Sequence, residues 1–173
     1  MKRAIRNYLA KMQGGEEQPP LPPLTDLVWS GVGAATGVAA TGYLSILFDA
    51  PLFMVSFGSS CVLVFALPGS RYTQPRNIVA GHLIAVVAGL LLAEAIGVEW
   101  WAMAVAIAVM IAINLATRTL HPPAGGTILY VMIEHPDWMF LAMPTLAGSL
   151  IIVICAVVFN NLSTGRRYPR YWF

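Results

Sequence analysis

Charged side chains are scarce in this sequence: ten Lys and Arg and eight Asp and Glu among 173 residues, or 10%, where a soluble globular domain carries about 25%. That scarcity, with 58% hydrophobic residues and a mean hydropathy of +0.71, excludes a water-soluble domain and gives an integral membrane protein. Cysteine is nearly missing too. The two present, Cys61 and Cys155, lie in apolar runs, so no disulfide framework is implied. Three dispersed histidines supply no metal-ligand cluster, and the chain has no H-E-x-x-H, no Gly-x-Ser-x-Gly and no carboxylate pair inside an apolar run. No enzyme, catalytic residue, metal or cofactor is therefore expected, and no nucleic-acid partner.

Glycine and proline, by contrast, are plentiful for so apolar a chain, at 15 and 12, as expected where membrane helices pack closely or break. Six apolar segments are legible: Leu24–Phe48, Pro51–Leu67, Gln74–Ile96, Trp100–Thr117, Pro122–Ile133 and Trp138–Leu162. Four are long enough to cross a hydrocarbon core of about 30 Å. The second and fifth are short. Each opens with a stretch that disfavours helix, "PLFMVSFGSS" in one and "HPPAGG" in the other.

Lys and Arg concentrate in cytoplasmic loops, and here they discriminate between topologies. If all six segments cross, every basic residue falls on one side: Lys2, Arg3, Arg6, Lys11, Arg71, Arg76, Arg118, Arg166, Arg167 and Arg170. Asp49, Glu99, Glu134 and Asp137 fall on the other. A four-crossing arrangement would move Arg71, Arg76 and Arg118 outside. The expectation is a multi-pass protein of the inner (plasma) membrane with both termini cytoplasmic. Residues 1–23 form an N-terminal tail. Its basic stretch leads into a proline-rich acidic linker rather than an apolar core, so it reads as no signal peptide. Ile5, Leu9 and Met12 recur at helical spacing there, as in a helix lying on the lipid surface. Residues 163–173 form a basic cytoplasmic tail.

The two halves of the membrane domain, about 24–96 and 100–162, share an order of features: long span, broken short span, long span. "FGSSCVLVFAL" at 57–67 aligns with "PAGGTILYVMI" at 123–133. Three crossings per copy make the second copy upside down, the inverted-repeat plan of many transporters. Helices over Ser59–Leu67 and Gly125–Ile133 would be only about 13 Å long at 1.5 Å per residue. Two such half-helices would meet N-terminus to N-terminus near the midplane, a place that favours an anion. Gly58, Ser59, Ser60, Ala124, Gly125, Gly126 and Thr127 are the expected binding residues, with free backbone N–H groups supplying most of the attraction.

"TRTLHPPAGGT" together with "FGSSCVLVFALPGSRYTQPRNIVAGHL" resembles the HPP family of integral membrane proteins, over roughly residues 24 to 162. The resemblance implies a small monovalent anion as substrate, since plastid and cyanobacterial members are associated with nitrite transport. The family is usually described with four spanning helices, against the six segments read here. Nitrate, formate, bicarbonate and chloride stay open beside nitrite, as do channel and carrier mechanisms; the alternative is a non-transporting membrane scaffold or sensor, or a channel for another small solute.

Other polar residues extend the candidate path. His121, with Pro122 and Pro123 at the break, is placed to gate or to relay protons, or else to cap the preceding helix. His82, Asn77 and Asn114 lie in or at the ends of spans, where polar groups face partners or cavities. Arg118 and Arg76 read as interfacial anchors or as a cationic vestibule. Asp26 is expected to cap the first span. Small residues at 31, 33, 34, 37 and 41 would give a close helix–helix face, and so a homo-oligomer within the membrane lipids.

Overall fold

A computed structural model describes residues 2–173, which form helices with no strand among the described residues. Helix α1 (Lys2–Ala10) lies exposed on the far side of an extended, proline-rich linker. Six helices then form the membrane bundle: α2 (Leu24–Leu47), α3 (Val55–Ala66), α4 (Pro75–Ile96), α5 (Trp100–Ala116), α6 (Ala124–Glu134) and α7 (Ala147–Asn161). Each of the six apolar segments contains one of them.

Two of the segment lengths differ from expectation. Three stretches, Leu24–Leu47, Pro75–Ile96 and Trp138–Asn161, are long and apolar enough to cross a membrane. The fourth expected span, α5, has 17 residues, or about 25 Å at 1.5 Å per residue, because its C-terminal end is closed early. Left-handed Arg118 (φ 58°) turns the chain, and the Thr119 N–H bonds back to the Asn114 carbonyl at 2.8 Å. The last span is not one helix either. Trp138–Leu141 is a 3₁₀ turn, and Met143 is non-helical inside the wide turn Ala142–Leu146 that precedes α7. Pro144 lacks the N–H that a continuous helix needs there.

Glycine decides how closely the helices approach. On α2 the buried residues are Gly33, Gly37 and Thr41. A Cβ on Gly33 would lie 2.5 Å from the Phe65 ring of α3 and 2.9 Å from Phe159 of α7, and one on Gly37 would lie 2.9 Å from the Cys61 sulfur. Of the small-residue face expected to mediate a homo-oligomer, Gly33, Gly37 and Thr41 are thus spent inside the chain, while Gly31 is exposed. Asp26 is also not the cap of α2. Pro23 holds that position, and Asp26 sits in the first turn, paired with Arg166 at 3.3 Å. Arg166 also donates to Ser30 Oγ at 2.9 Å and to the Phe65 carbonyl at 2.7 Å, tying the segment after α7 to α2 and α3.

Helices α3 and α6 are the short ones, with 12 and 11 residues, or about 17 Å each. Extended Met54 leads into α3 as expected. The lead into α6 is different: Pro122 and Pro123 form a tight turn, not an extended descent. Both helices reach further back than expected, to Val55 and to Ala124. Each is held against a long helix through a missing side chain. A Cβ on Gly148 of α7 would stand 2.2 Å from the Phe57 ring of α3, and one on Gly89 of α4 would stand 2.9 Å from Val131 of α6.

Candidate functional site

Ser56 and Ser60 are one turn apart on α3, so both hydroxyls share a face, and that face meets the first turn of α6. Ser56 Oγ lies 2.8 Å from Thr127 Oγ1, and Ser60 Oγ lies 2.9 Å from His121 Nε2. Advancing along α3 from 56 to 60 therefore means retreating along the partner segment from 127 to 121. The two short helices run in opposite directions and overlap at their beginnings.

His82 of α4 closes the group. Its Nε2 lies 2.9 Å from Ser60 Oγ and its Nδ1 2.7 Å from Thr127 Oγ1. The Phe57 ring stands edge-on to it at 5.3 Å, and the two imidazoles are 5.0 Å apart. His121 Nδ1 reaches the Tyr72 carbonyl at 2.8 Å. Ser60, His82, His121 and Thr127 are fully buried, and Ser56 is 7% exposed. Inside an apolar bundle each such group costs several kcal/mol unless hydrogen-bonded. Here all five side chains join in one chain of hydrogen bonds.

The local sequence explains how His121 gets there. The first turn of α4 holds the loop carbonyls: Arg76 donates to Thr117 O at 3.0 Å, and Asn77 donates to Leu120 O at 3.0 Å. Thr119 Oγ1 donates to Asn114 Oδ1 at 2.9 Å. One turn further on, Gly81 leaves room for the loop itself, because a Cβ there would lie 2.7 Å from His121 Cβ and 3.1 Å from the Thr119 carbonyl. Thr119 and Arg76, rather than His121, satisfy the end of α5.

Beside the chain, on the side bearing the arginines, a cavity of about 290 Å³ is lined by Arg71, Tyr72, Asn77, Asn114, Arg118 and Tyr171, with Leu115 and Leu120. No carboxylate lines it. Asn77 Oδ1 and Asn114 Nδ2 are buried without a hydrogen-bond partner, one spare acceptor and one spare donor. The Arg71 guanidinium stacks on the Tyr72 ring at 4.8 Å. Tyr72 belongs to both places: its ring borders the cavity and its carbonyl holds His121.

The expected binding residues divide accordingly. Ser60 and Thr127 enter the buried chain with His82 and His121. Ser59 is exposed and turns back onto the Ser56 carbonyl at 3.2 Å. Gly58 has open space where a side chain would be, and Gly125 is half-buried near Ile107. Gly126 is exposed, and its missing side chain would meet Ser56 Cβ at 3.5 Å. Ala124 is buried at the start of α6, Pro123 is buried before it, and Pro122 is exposed. The amides expected to be free are not: the N–H groups of Ala124, Gly125 and Gly126 bond to the carbonyls of His121, Pro122 and Pro123 at 3.0 Å each. Asn77, Asn114 and Arg118 meet at the cavity, and Arg76, in the first turn of α4, holds the neighbouring loop. Ser56, Gly81, Arg71 and the Tyr72 carbonyl were not anticipated. The four-residue step from Ser56 to Ser60 and the Gly81–His82 adjacency were the signals available for two of them. Among the described residues no group of three or more His, Cys, Asp and Glu is placed to hold a metal ion.

A helical bundle with three long apolar spans and a sealed polar chain at its centre is a multi-pass integral membrane protein. The HPP transmembrane-region family matches residues 19–169, and the chain belongs to that family. Two transmembrane proteins of Dictyostelium discoideum are similar to it: one is 34% identical over 100% of this chain and 66% of its own length, the other 30% identical over 96% and 57%. The chain thus spans less than two thirds of the length of either relative. No solved structure matches it.

Proposed function

We propose that this protein moves a small monovalent inorganic anion across its membrane. The solute is held in the cavity lined by Arg71 and Arg118, beside the polar centre where α3 and α6 begin. The observation that carries the proposal is that pairing of the two breaks: in an otherwise apolar bundle, the polar side chains of the 54–60 and 119–127 segments converge, and a cationic cavity adjoins them. Two arginines, a spare amide N–H on Asn114 and the positive ends of two helices all favour an anion. Nitrite is the first substrate to test, because of the family resemblance.

An inverted repeat is part of the proposal, and the pairing of the helices supports it. The helix pairs in contact are α2–α3, α2–α7, α3–α7, α4–α5, α4–α6, α5–α6, α3–α6 and α4–α7. Exchanging α2 with α5, α3 with α6 and α4 with α7 turns this set into itself, as a two-fold axis in the membrane plane would. The proposal places the protein in an inner (plasma) membrane with the arginine side and both termini cytoplasmic. Any homo-oligomer uses a face other than the Gly33–Gly37 stripe. Ser60, His121 and the Tyr72 carbonyl are spaced like a nucleophile, a base and its orienting group. Ser60 is sealed from any substrate carbonyl, so no enzyme is proposed.

The test is anion flux in proteoliposomes, with nitrite compared against nitrate, formate, bicarbonate and chloride. Saturable, protein-dependent flux that falls when Arg71 and Arg118 are both replaced by Gln is the expected result. Vesicles no more permeable than protein-free controls to all five anions would overturn the proposal.

A further inference from the structure

The Tyr72 carbonyl fixes the position of every hydrogen in the buried chain. A carbonyl only accepts, so His121 Nδ1, 2.8 Å away, carries a hydrogen. In the neutral ring Nε2 is then bare, and Ser60, at 2.9 Å, donates to it. Ser60 has one hydrogen, so at His82 Nε2, also 2.9 Å away, it accepts. His82 is therefore the Nε2–H tautomer with a bare Nδ1, to which Thr127 donates at 2.7 Å. Thr127 in turn accepts from Ser56 at 2.8 Å. The competing acceptors are longer contacts: the Ser56 carbonyl at 3.2 Å from Ser60 Oγ, and the Met54 sulfur at 3.9 Å from Thr127 Oγ1. One backbone carbonyl thus sets two neighbouring histidines in opposite tautomers.

We infer that this chain conducts a proton from Ser56 to His121. Its coupling to the anion, though not the conduction itself, rests on the transport reading above. A proton captured on Ser56 Oγ releases the Ser56 hydrogen to Thr127, whose own hydrogen passes to His82 Nδ1. The His82 Nε2 hydrogen then passes to Ser60, and the Ser60 hydrogen to His121 Nε2. Five bonds to hydrogen form and four break, one proton is gained, and no electron moves. All four hydrogen bonds from Ser56 to His121 survive with their direction reversed, so the loaded and unloaded chains are equally well satisfied. The Nδ1 hydrogen then leaves the Tyr72 carbonyl for a water or an anion in the arginine-lined cavity, which completes the transfer of one proton.

Both ends suit the task. Ser56 is the chain member nearest the surface, under exposed Gly126, while the other four are sealed. His121, once cationic, adds a third positive charge next to the cavity, and an anion held there favours the loaded state. The groups facing the two rings are Ser56, Phe57 and Ser60 from α3, Thr127 from α6 and the Tyr72 carbonyl from the 71–73 turn. Arg71 and Arg118 line the adjoining cavity and Arg76 holds the Thr117 carbonyl, whereas every Asp and Glu lies in a loop, a linker or a helix end.

Two measurements on the full chain test this. Nitrogen-15 NMR of histidine-labelled protein in nanodiscs, assigned with His135→Gln and His82→Gln, should show His121 as the Nδ1–H tautomer and His82 as Nε2–H. On acidification His121 should become the cation while His82 switches to Nδ1–H. Like tautomers for the two rings, or a first proton lodging on His82, would overturn the wire. In proteoliposomes carrying a pH dye and an anion reporter, wild type should acidify the lumen as nitrite enters. Ser60→Ala, which removes the hydroxyl between the rings, should cut proton flux on the order of a hundredfold, and Ser60→Thr should restore it. Anion flux with no proton movement overturns the wire and leaves transport standing. Opposite tautomers with no flux of any anion support the wire and overturn the transport reading.

Discussion

Replacing Gly81 by Ala adds one methyl group at the place where the 119–123 loop rests on α4. The new Cβ would lie 2.7 Å from His121 Cβ and 3.1 Å from the Thr119 carbonyl. Neither is the free end of a flexible side chain, so the loop must give way. Ordinary carbon–carbon contact needs about 3.5 Å, which asks for a shift of roughly 0.8 Å. His121 is held by two bonds, of 2.8 Å to Tyr72 O and 2.9 Å to Ser60 Oγ. A shift of that size along either takes it to about 3.6 Å, where it is no longer a hydrogen bond. Overpacking costs about 1–3 kcal/mol, and each buried ring nitrogen left unpaired costs about 1–3 kcal/mol more. The sum is several kcal/mol from one methyl. Denaturant unfolding in mixed micelles measures the loss, with Gly31→Ala as the control. Nothing lies within 4 Å of a Cβ at Gly31, and Ala there favours the helix by up to about 1 kcal/mol. A Gly81→Ala protein as stable as Gly31→Ala, with unchanged flux, would refute the claim that the Gly81–His121 contact positions the site.

Gly148→Ala should be at least as harmful, since its Cβ would lie 2.2 Å from the Phe57 ring and 2.5 Å from the Leu52 carbonyl; loss of folded protein on size exclusion is the readout. Single cysteines at 71 and 167, in a chain lacking Cys61 and Cys155, should react with impermeant reagent from one side of the membrane and a cysteine at 136 from the other. Labelling of 71 and 136 from the same side would remove the inverted repeat. Thr127→Val should stop proton movement, because it removes a whole link from the sealed chain, and should cost about 1–3 kcal/mol of stability by leaving Ser56 Oγ and His82 Nδ1 without their partner. Tyr168, buried after α7, has a phenol pushed above its ordinary range by desolvation and donates to the Thr73 carbonyl at 2.8 Å. Its raised value means that its contribution to stability is full below pH about 10 and is lost as pH climbs through the folded-state value. Tyr168→Phe should remove that alkaline loss and cost about 1 kcal/mol at neutral pH.

The helices were legible because apolar length and Gly–Pro breaks are local properties. The breaks at 51–54 and 117–123 are written in their residues, and so are the two short helices that follow. What convergence does with those breaks is not local. Nothing in "AGHLIAVV" says that His82 will face Ser60 and Thr127, since that depends on α4 crossing α6 over Gly89 and on the loop lying against Gly81. Ser56 went unread because it stands three residues before the expected helix start, while α3 in fact begins at Val55. The prediction of free amides missed because a Pro-Pro turn feeds three carbonyls straight back to the amides of Ala124, Gly125 and Gly126. The stripe on α2 was correctly read as a close-packing face, but composition does not distinguish a neighbour in the same chain from one in another.

The turn that presents the Tyr72 carbonyl is braced from far along the chain. Tyr168 Oη bonds to Thr73 O, Tyr171 Oη to Arg71 O at 3.2 Å, and the Arg170 N–H to Gln74 Oε1 at 2.7 Å. During synthesis those three residues leave the ribosome after all six bundle helices. A nascent chain halted after α7 therefore lacks these three braces, and the 71–74 turn is held only by its own bonds to residues 67–70 and by His121. The last bonds on the turn that presents the Tyr72 carbonyl can thus form only after all six bundle helices have been made.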